Sequence, residues 1–332
     1  MKALVTGGAG FIGTHLVREL LNRGLDVIAV DNFTLGKEEN VKCFSDNPKY
    51  KFYKINIDET DKFCEELEGE EIDIIYHLAA KSDIQKGGKN PSIDYRDTFK
   101  TTYSVLELMR RKDIKKLFFS STSAIYGDKT ELLKEDVGNL KPISYYGGCK
   151  LSSESIISSY SFMNDLYTVV FRFPNVIGPN LTHGVIYDFV RKLQNNPNEL
   201  EILGDGTQTK PYVYVLDLVD AIVKMTLDTE IKKGVEIYNV GVETATSVTR
   251  IADIVCEVLG YKDVKYNYTG GNVGWKGDVP KFQYDLTKIH STGWTASHTS
   301  DEAVRETVKY IKDLQKWKQL FRQEEKGQEL VQ

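Results

Sequence analysis

Thr6-Gly-Gly-Ala-Gly-Phe-Ile-Gly13 is the stretch of this sequence that decides its fold. It follows the short apolar run Leu4-Val5 and precedes a segment with helical spacing of apolar residues, so it predicts a turn from a strand into a helix. The first glycine permits a tight turn, the second lets the backbone approach a pyrophosphate, and the third allows close packing of helix on sheet. A plain tight turn is the alternative. We assign five residues to a dinucleotide-binding loop: Gly7, Gly10, Phe11, Ile12 and Gly13.

An acidic residue stands where a dinucleotide-binding fold needs one. Asp31 follows the second predicted strand, 18 residues after Gly13, near the spacing expected for a ligand of the adenosine ribose. A carboxylate accepts a hydrogen bond from the ribose 2′-OH and repels a 2′-phosphate, so NAD is predicted rather than NADP. Lys37 is close enough in sequence to soften that repulsion, and an exposed aspartate at a strand end is the alternative interpretation.

Strands and helices alternate along the first half of the chain. Apolar residues have helical spacing over 14–23, 99–109 and 146–164. Short apolar runs at 27–30, 72–78, 117–119 and 168–173 predict strands between these helices. The alternation predicts an α/β fold, a Rossmann-like doubly wound parallel sheet with helices on both faces.

The second half is less regular and predicts a smaller, interleaved α/β substrate domain. Apolar runs at 213–215 and 237–240 predict two strands that return to the main sheet. Ser247 and Gly260 are typical of the two ends of a helix. We expect an NAD-binding domain of residues 1–173 plus 212–245, a substrate domain of 174–211 plus 246–323, and a tail at 324–332.

Composition excludes several classes of function. The chain has 332 residues, of which 41% are hydrophobic and 27% charged, and its net charge is -5. That balance argues against a general nucleic-acid surface, and no apolar run approaches the ~20 residues of a membrane span. Its four cysteines are far apart and show no metal-binding spacing, which is typical of free thiols in a reducing compartment. We expect a cytoplasmic protein with no nucleic-acid or membrane partner and no metal.

A tyrosine and a lysine stand one helical turn apart in Tyr146-Gly-Gly-Cys-Lys150. A free phenol has a pKa of about 10, and a neighbouring ammonium is expected to lower it and to hold the nicotinamide ribose. Tyr146 then takes a proton from a substrate hydroxyl while Thr122, from the run Ser120-Ser-Thr122, hydrogen-bonds the same oxygen. An accidental surface pair is the alternative. Tyr145 is the adjacent rival, but its spacing to Lys150 is wrong.

At this point the chain resembles the extended short-chain dehydrogenase/reductases that act on nucleotide sugars, and within them the UDP-glucose 4-epimerases. The resemblance runs from residue 1 to about residue 310. It rests on ordered motifs: TGGAGFIG at 6–13, DNF at 31–33, HLAA at 77–80, SSTSAIYG at 120–127, YGGCK at 146–150, RFPNVIGP at 172–179, GDGTQTKPYVYVLD at 204–217, YNVG at 238–241 and GWKGDVP at 274–280.

The resemblance implies roles for individual residues. The catalytic set is Thr122, Tyr146 and Lys150, and the cofactor is NAD. It assigns further residues to the cofactor, besides the glycine loop and Asp31: Asn32, Asn56, Ile57, Leu78, Ala79, Ala80, Ser120, Phe173, Tyr146 and Lys150. Those assigned to the nucleotide sugar are Thr122, Tyr146, Asn175, Lys210, Tyr212, Trp275 and Asp278. The helices at 99–109 and 146–164 imply a homodimer joined by a four-helix bundle.

The chain also departs from the family pattern. The family usually has an Asp where this chain has Asn56, and a family Asn aligns with Thr98. Lys210 stands where an arginine usually grips the substrate diphosphate, and lysine offers charge without a bidentate fork. These departures leave the sugar and the nucleotide base open.

Ala124 indicates which reaction of the family to expect. The related 4,6-dehydratases carry an Asp-Glu pair directly after the catalytic threonine, and UDP-glucuronate decarboxylases carry a Glu at the second position. This chain has Ser123-Ala124, and alanine cannot transfer a proton. We therefore predict epimerisation of a UDP-glucose/UDP-galactose type of nucleotide sugar at C4. The alternatives are a dehydratase, a decarboxylase or a 4-dehydrogenase of the same family, or a non-catalytic NAD-sensing protein.

Overall fold

The computed structural model describes residues 1–81, 88, 90–129, 131–181, 183–271, 279 and 281–329, and from residue 315 onward it describes the helix but not its side chains. The chain forms two compact units. Unit 1 comprises Met1–Pro174, Leu216–Gly241 and Phe282–Thr295. Unit 2 comprises Asn175–Val215, Val242–Lys281 and Ala296–Gln332. Unit 1 thus includes Phe282–Thr295, which we expected within the substrate domain. Among the described residues, no helix is both long enough and apolar enough to cross a membrane.

Unit 1 is built on the predicted parallel sheet, which has seven strands. In chain order these are β1 (Lys2–Thr6), β2 (Asp26–Asp31), β3 (Tyr50–Lys54), β4 (Ile74–His77), β5 (Lys116–Thr122), β6 (Tyr167–Phe173) and β11 (Gly234–Asn239). Their order across the sheet is β11-β6-β5-β4-β1-β2-β3, and all neighbours are parallel. The order reverses between β1 and β4, so a ligand crevice is expected beyond the carboxyl ends of these two strands.

Helices connect the strands of unit 1 and cover the sheet. They are α1 (Phe11–Asn22), α2 (Glu38–Lys42), α3 (Thr60–Glu66), α4 (Pro91–Asp94), α5 (Thr101–Lys112), α6 (Tyr145–Met163), α8 (Val215–Val223) and α10 (Thr287–His290). A π-helical segment, Tyr95–Lys100, joins α4 to α5; a second spans Lys224–Asp228, and Ser123–Tyr126 forms a 3₁₀ turn. One buried apolar cluster joins sheet to helices through Leu4, Ile75, Leu117, Phe63, Val105 and Ile157.

The described residues of unit 2 form three small sheets and three helices. The strand pairs are β7 (Asn175–Ile177) with β10 (Tyr212–Tyr214), β8 (Glu199–Ile202) with β13 (Lys265–Tyr268), and β9 (Thr209–Lys210) with β12 (Thr246–Ser247). The helices are α7 (Val185–Asn195), α9 (Val248–Leu259) and α11 (Ser300–Glu329). Ser247 caps α9 by accepting a hydrogen bond from the Arg250 N–H at 3.1 Å, and Gly260 ends it at a φ of 85°, as predicted.

Two expectations about the second half were wrong. The strand expected at 213–215 does not return to the main sheet, because β11 occupies the position beside β6; it pairs with β7 instead, Tyr212 opposite Asn175. The tail expected from residue 324 is also shorter, since α11 continues to Glu329. Its sequence there is rich in Glu, Gln and Lys, which are good helix formers.

A buried ion pair fixes helix α6 against the sheet. Arg172 of β6 donates to Glu154 of α6 at 2.7 Å, and both side chains are more than nine-tenths buried. The same guanidinium donates to the Tyr126 hydroxyl at 2.9 Å and to the Glu135 carbonyl at 2.8 Å. Ser121 at the end of β5 donates to Glu154. Because further hydrogen bonds satisfy both ions, the pair meets the condition under which burying charge is tolerable.

Replacing Glu154→Gln should destabilise the fold by about 3–5 kcal/mol, because it leaves the buried Arg172 charge without its counter-ion. Urea titration followed by circular dichroism measures the loss. The control is Asp165→Asn, which breaks an exposed ion pair with Lys233 in which both side chains are more than half exposed. That control should leave the midpoint unchanged. Equal midpoints for all three proteins would contradict a structural role for the buried pair.

Candidate active site

The glycine loop lies between β1 and α1 and leaves space for a ligand at one position. Gly7 has a φ of +73°, and a Cβ there would lie 2.9 Å from the Ala79 backbone nitrogen. A Cβ on Gly13 would lie 2.1 Å from the Gly7 carbonyl oxygen. The fold itself therefore requires these two glycines. A Cβ on Gly10 would approach just the Gly7 carbonyl oxygen, at 3.1 Å, so the loop is open there.

The N-terminus of α1 is suited to a pyrophosphate. Gly10 is its N-cap and supplies no side-chain hydrogen bond to the first turn. The first N–H groups of a helix lack intrahelical partners and carry partial positive charge, which attracts anions. Phe11, Ile12 and Gly13 form this first turn, as the sequence predicts.

Asp31 lies at the end of β2 and faces the glycine loop. Its carboxylate accepts hydrogen bonds from the Phe33 N–H at 2.8 Å and the Ala9 N–H at 3.1 Å. Burial raises the pKa of Asp31, and these backbone donors oppose the rise. A Cβ on Gly36 would lie 2.8 Å from a carboxylate oxygen, so a third glycine, which sequence reasoning missed, leaves room for this side chain.

Other predicted cofactor residues lie around the same edge of the sheet. Asn32 follows β2 and donates to the Asn56 amide oxygen at 3.1 Å. The side chain of Ile57 belongs to the apolar core. Leu78, Ala79 and Ala80 follow β4, and the Ala79 N–H donates to Thr6 Oγ1 at 3.3 Å. Ser120 and Phe173 lie in the carboxyl-terminal halves of β5 and β6.

The three predicted catalytic residues come together where β5 meets α6. Thr122 is the last residue of β5, and its side chain lies close enough to the Tyr146 phenol to lower the pKa of that phenol. Tyr146 lies in the first turn of α6, which Ser144 caps by accepting from the Gly147 N–H at 3.1 Å. Lys150, one turn later, is 2% exposed and donates to the Ser120 carbonyl at 2.5 Å. Tyr145, the rival phenol, is 53% exposed.

Burial dominates the protonation of this group. It raises the pKa of the Tyr146 phenol, against the hydrogen bond from Thr122, and the charge of Asp94 raises it further. Burial also lowers the pKa of Lys150 to about 7, although the charge of Glu154 opposes this. The expectation that Lys150 lowers the pKa of Tyr146 stays a prediction; in this structure the amine of Lys150 donates to the Ser120 carbonyl, and burial is the largest influence on the phenol.

His77 has a structural role, as expected from its place at the end of a buried strand. It is fully buried, and its two ring nitrogens are hydrogen-bonded with Thr6 at 2.7 Å and Thr102 at 3.1 Å. Burial, aided by the charge of Lys150, lowers its pKa to about 3. The imidazole therefore stays neutral at physiological pH and joins β1, β4 and α5.

Apart from Thr122 and Tyr146 in unit 1, the predicted substrate residues that the structure describes lie in unit 2. Asn175 and Tyr212 are opposite each other on β7 and β10. Lys210 is on β9, opposite Thr246 of β12. Trp275 and Asp278 lie outside the described residues. These assignments stay predictions, as do those of the individual cofactor residues.

A family model described as NAD-dependent epimerase/dehydratase matches residues 3–241. The chain belongs to this family. A putative UDP-glucose 4-epimerase of Methanocaldococcus jannaschii is 32% identical over 317 residues, which are 93% of this chain and 98% of that protein. A UDP-glucuronate 4-epimerase of Thermodesulfobacterium geofontis is 29% identical over 318 residues, 93% of this chain and 96% of that protein.

Solved structures agree with this assignment. The crystal structure of Thermus thermophilus UDP-glucose 4-epimerase in complex with NAD has a TM-score of 0.82 at 29% identity, and covers 94% of this chain and 99% of that chain. The cofactor of this NAD-dependent epimerase/dehydratase is NAD. The open side of Gly10 and the uncapped first turn of α1 fit its pyrophosphate.

Tyr146→Phe should keep the fold and the bound NAD but lower turnover of a nucleotide sugar by about 10²–10⁴-fold, because it removes the phenol predicted to exchange a proton with substrate. The matched control is Tyr145→Phe, which changes the exposed neighbouring phenol and should leave turnover near that of the wild type. Steady-state rates of the two variants give the comparison. Loss of turnover in the Tyr145 variant instead would show that the wrong phenol was chosen.

Proposed function

We propose that this family member epimerises a nucleotide sugar of the UDP-glucose/UDP-galactose type at C4. The observation that carries the proposal is that Thr122 lies beside the Tyr146 phenol, while Ala124, two residues after Thr122, cannot act as an acid. Ala124 lies in the 3₁₀ turn directly after β5, and its N–H donates to Thr122 Oγ1 at 3.2 Å. A carboxylate at this position is what elimination across C5 and C6 would require.

Three side chains of the protein have separate roles in the proposed reaction at C4. Bound NAD supplies the acceptor, and later the donor, of a hydride. Tyr146 takes the proton of the C4 hydroxyl, and Thr122, beside the phenol, hydrogen-bonds the same substrate oxygen. Lys150, held on the Ser120 carbonyl, lies one turn behind the phenol and is able to gain or lose a proton near neutral pH. Return of the hydride to the other face of a 4-keto sugar gives the epimer.

Four outcomes distinguish epimerisation from its rivals. The purified protein is incubated in D₂O with a panel of UDP-, GDP-, dTDP- and CDP-sugars, and products are followed by NMR and mass spectrometry. With an accepted hexose we expect a stereoisomer of equal mass, without deuterium at C5 or C6, and no need for added NAD. A product lighter by one water would identify a dehydratase, and one lighter by carbon dioxide a decarboxylase. Accumulation of keto sugar with stoichiometric NADH would identify a 4-dehydrogenase.

Tyr146→Phe serves as the control in that experiment. Product that persists in this variant would come from a contaminating enzyme rather than from the proposed site. Absence of reaction with every sugar, in a protein that retains NAD, would favour the NAD-sensing alternative.

We propose further that two copies of the chain associate through helices α5 and α6. Large apolar side chains are exposed on this face: Phe162 is 85% exposed and Met163 76% exposed at the end of α6. Tyr103 of α5 is 38% exposed, and Tyr95, stacked on Phe99 in the π-helical segment, is 56% exposed. Several exposed apolar side chains on two neighbouring helices are typical of a protein interface, and two helices from each copy would form a four-helix bundle.

Light scattering should give about twice the chain mass of 37.7 kDa for the wild type. Replacing both Phe162→Glu and Met163→Glu should shift the protein to the monomer mass, because charge is costly to bury at an apolar interface. The control is Leu132→Glu, an equally drastic change at a 47% exposed leucine outside these helices, which should remain dimeric. A monomeric wild type would contradict the proposal.

A further inference from the structure

Asp94 is a buried acid that the chemistry described so far does not use. It is the last residue of α4, just before the π-helical segment, and it is 1% exposed. Among the described residues, neither of its carboxylate oxygens has a hydrogen-bond partner. A buried carboxylate without partners costs several kcal/mol in its charged form. Such an arrangement calls for a functional explanation.

The helix that carries this acid is a neighbour of the catalytic helix. Helix α4 packs against α6, where Tyr146 and Cys149 lie three residues apart and so share one face. Burial is the largest cause that raises the pKa of the Tyr146 phenol and of the Cys149 thiol, and the charge of Asp94 raises both further.

Two other charged groups act on Asp94 itself. Burial is the largest cause that raises its pKa, to about 6; Asp97 of the π-helical segment adds to the rise, and Lys81, which follows β4, opposes it. Asp97 is paired with Arg96 at 2.6 Å, which offsets much of its charge. The acid therefore changes its charge within a range of pH in which enzymes work.

We propose that Asp94 is a positioning residue that acts through Tyr146: its buried carboxylate, when ionised, holds the proton on the catalytic hydroxyl. The proposal rests on the function proposed above, in which Tyr146 exchanges that proton with substrate. A negative charge next to a phenol disfavours the phenolate, because two like charges repel strongly where water is excluded. Above pH ~6, where Asp94 is ionised, a smaller fraction of Tyr146 is phenolate, but that phenolate is a stronger base. When Asp94 is protonated, this restraint is released.

The first test is the pH dependence of kcat/KM in variants that remove the charge. Asp94→Asn and Asp94→Leu should both move the alkaline-side rise in activity to lower pH by about 0.5–1 unit, since Tyr146 ionises more easily. The variants and the wild type should converge below pH ~6, where Asp94 of the wild type is itself neutral. Asp94→Glu should restore the wild-type profile. Asp97→Asn should shift the profile far less than removal of Asp94, because Asp97 acts on Asp94 and is not among the groups that act on Tyr146.

The second test does not depend on turnover. Because Cys149 experiences the same charge, its alkylation by iodoacetamide at pH 7.5 should be about 3–10-fold faster in Asp94→Asn than in the wild type, in proportion to thiolate. Mass spectrometry of the modified peptides gives this rate, with Cys43 in the same molecule as the reference. If Asp94 had only a structural role, replacing it would lower stability but would change neither the pH profile nor the rate of thiol alkylation.

Stability gives the check that the variants fold. Because the pKa of Asp94 is raised in the folded protein, the free energy of unfolding of the wild type should fall between pH ~4 and pH ~6, and both charge-removing variants should lack this fall. Unchanged pH profiles and thiol rates in folded variants would overturn the proposal. A wild type that turns over no nucleotide sugar would instead contradict the proposed function, and the thiol rate would still report the charge of Asp94.

Discussion

The hydrogen bond from Lys150 to the Ser120 carbonyl holds helix α6 on the end of strand β5, and the rest of the site depends on it. Tyr146 lies one turn before Lys150, and Thr122 lies two residues beyond Ser120, so this one attachment brings the phenol to the threonine hydroxyl. One turn in the other direction, Glu154 binds Arg172 of β6. Helix α6 is thus fixed to two neighbouring strands at successive turns, and its first turn has little freedom to move. Catalytic side chains held in this way need no reorganisation when substrate arrives.

Exclusion of water sets the protonation states at this end of the sheet. Burial raises the pKa of Tyr146, lowers the pKa of Lys150 to about 7, and lowers the pKa of His77 to about 3. Each shift favours the neutral form, because charge is poorly solvated there. A site that disfavours charge suits a reaction in which the hydroxyl oxygen loses a proton and C4 loses a hydride. The substrate then stays neutral at C4.

Local spacing explains what could be predicted from the sequence. The glycine loop, Asp31 and the Tyr146–Lys150 pair each depend on residues close together in the chain, and the parallel sheet follows from the alternation of elements. The pairing of β10 with β7, and the inclusion of Phe282–Thr295 in unit 1, depend on distant residues: the Leu133 N–H, for example, donates to the Gln283 carbonyl at 2.9 Å. Asp94 was missed because the π-helical segment after it shifts the helical phase, so a period of 3.6 residues does not relate it to α5. Spacing likewise predicts that Lys150 lies one turn from Tyr146, but it does not predict the burial that raises the pKa of Tyr146 and lowers that of Lys150.

The placement of acids around Tyr146 argues for a reaction that needs one proton exchange. An elimination or a decarboxylation would use a carboxylate that reaches the sugar, and the residue after the Thr122–Ser123 step is an alanine. The acid that does act on Tyr146 is Asp94, whose carboxylate is buried and so has no surface to offer a substrate. It influences the site through its charge alone. Epimerisation at C4 requires one group to accept the hydroxyl proton and to return it, and a single phenol of adjustable proton affinity supplies that. The electrostatic environment of Tyr146 is therefore consistent with an epimerase in which a buried charge adjusts the proton affinity of the base. It is less consistent with an enzyme that needs a second acid in contact with the sugar.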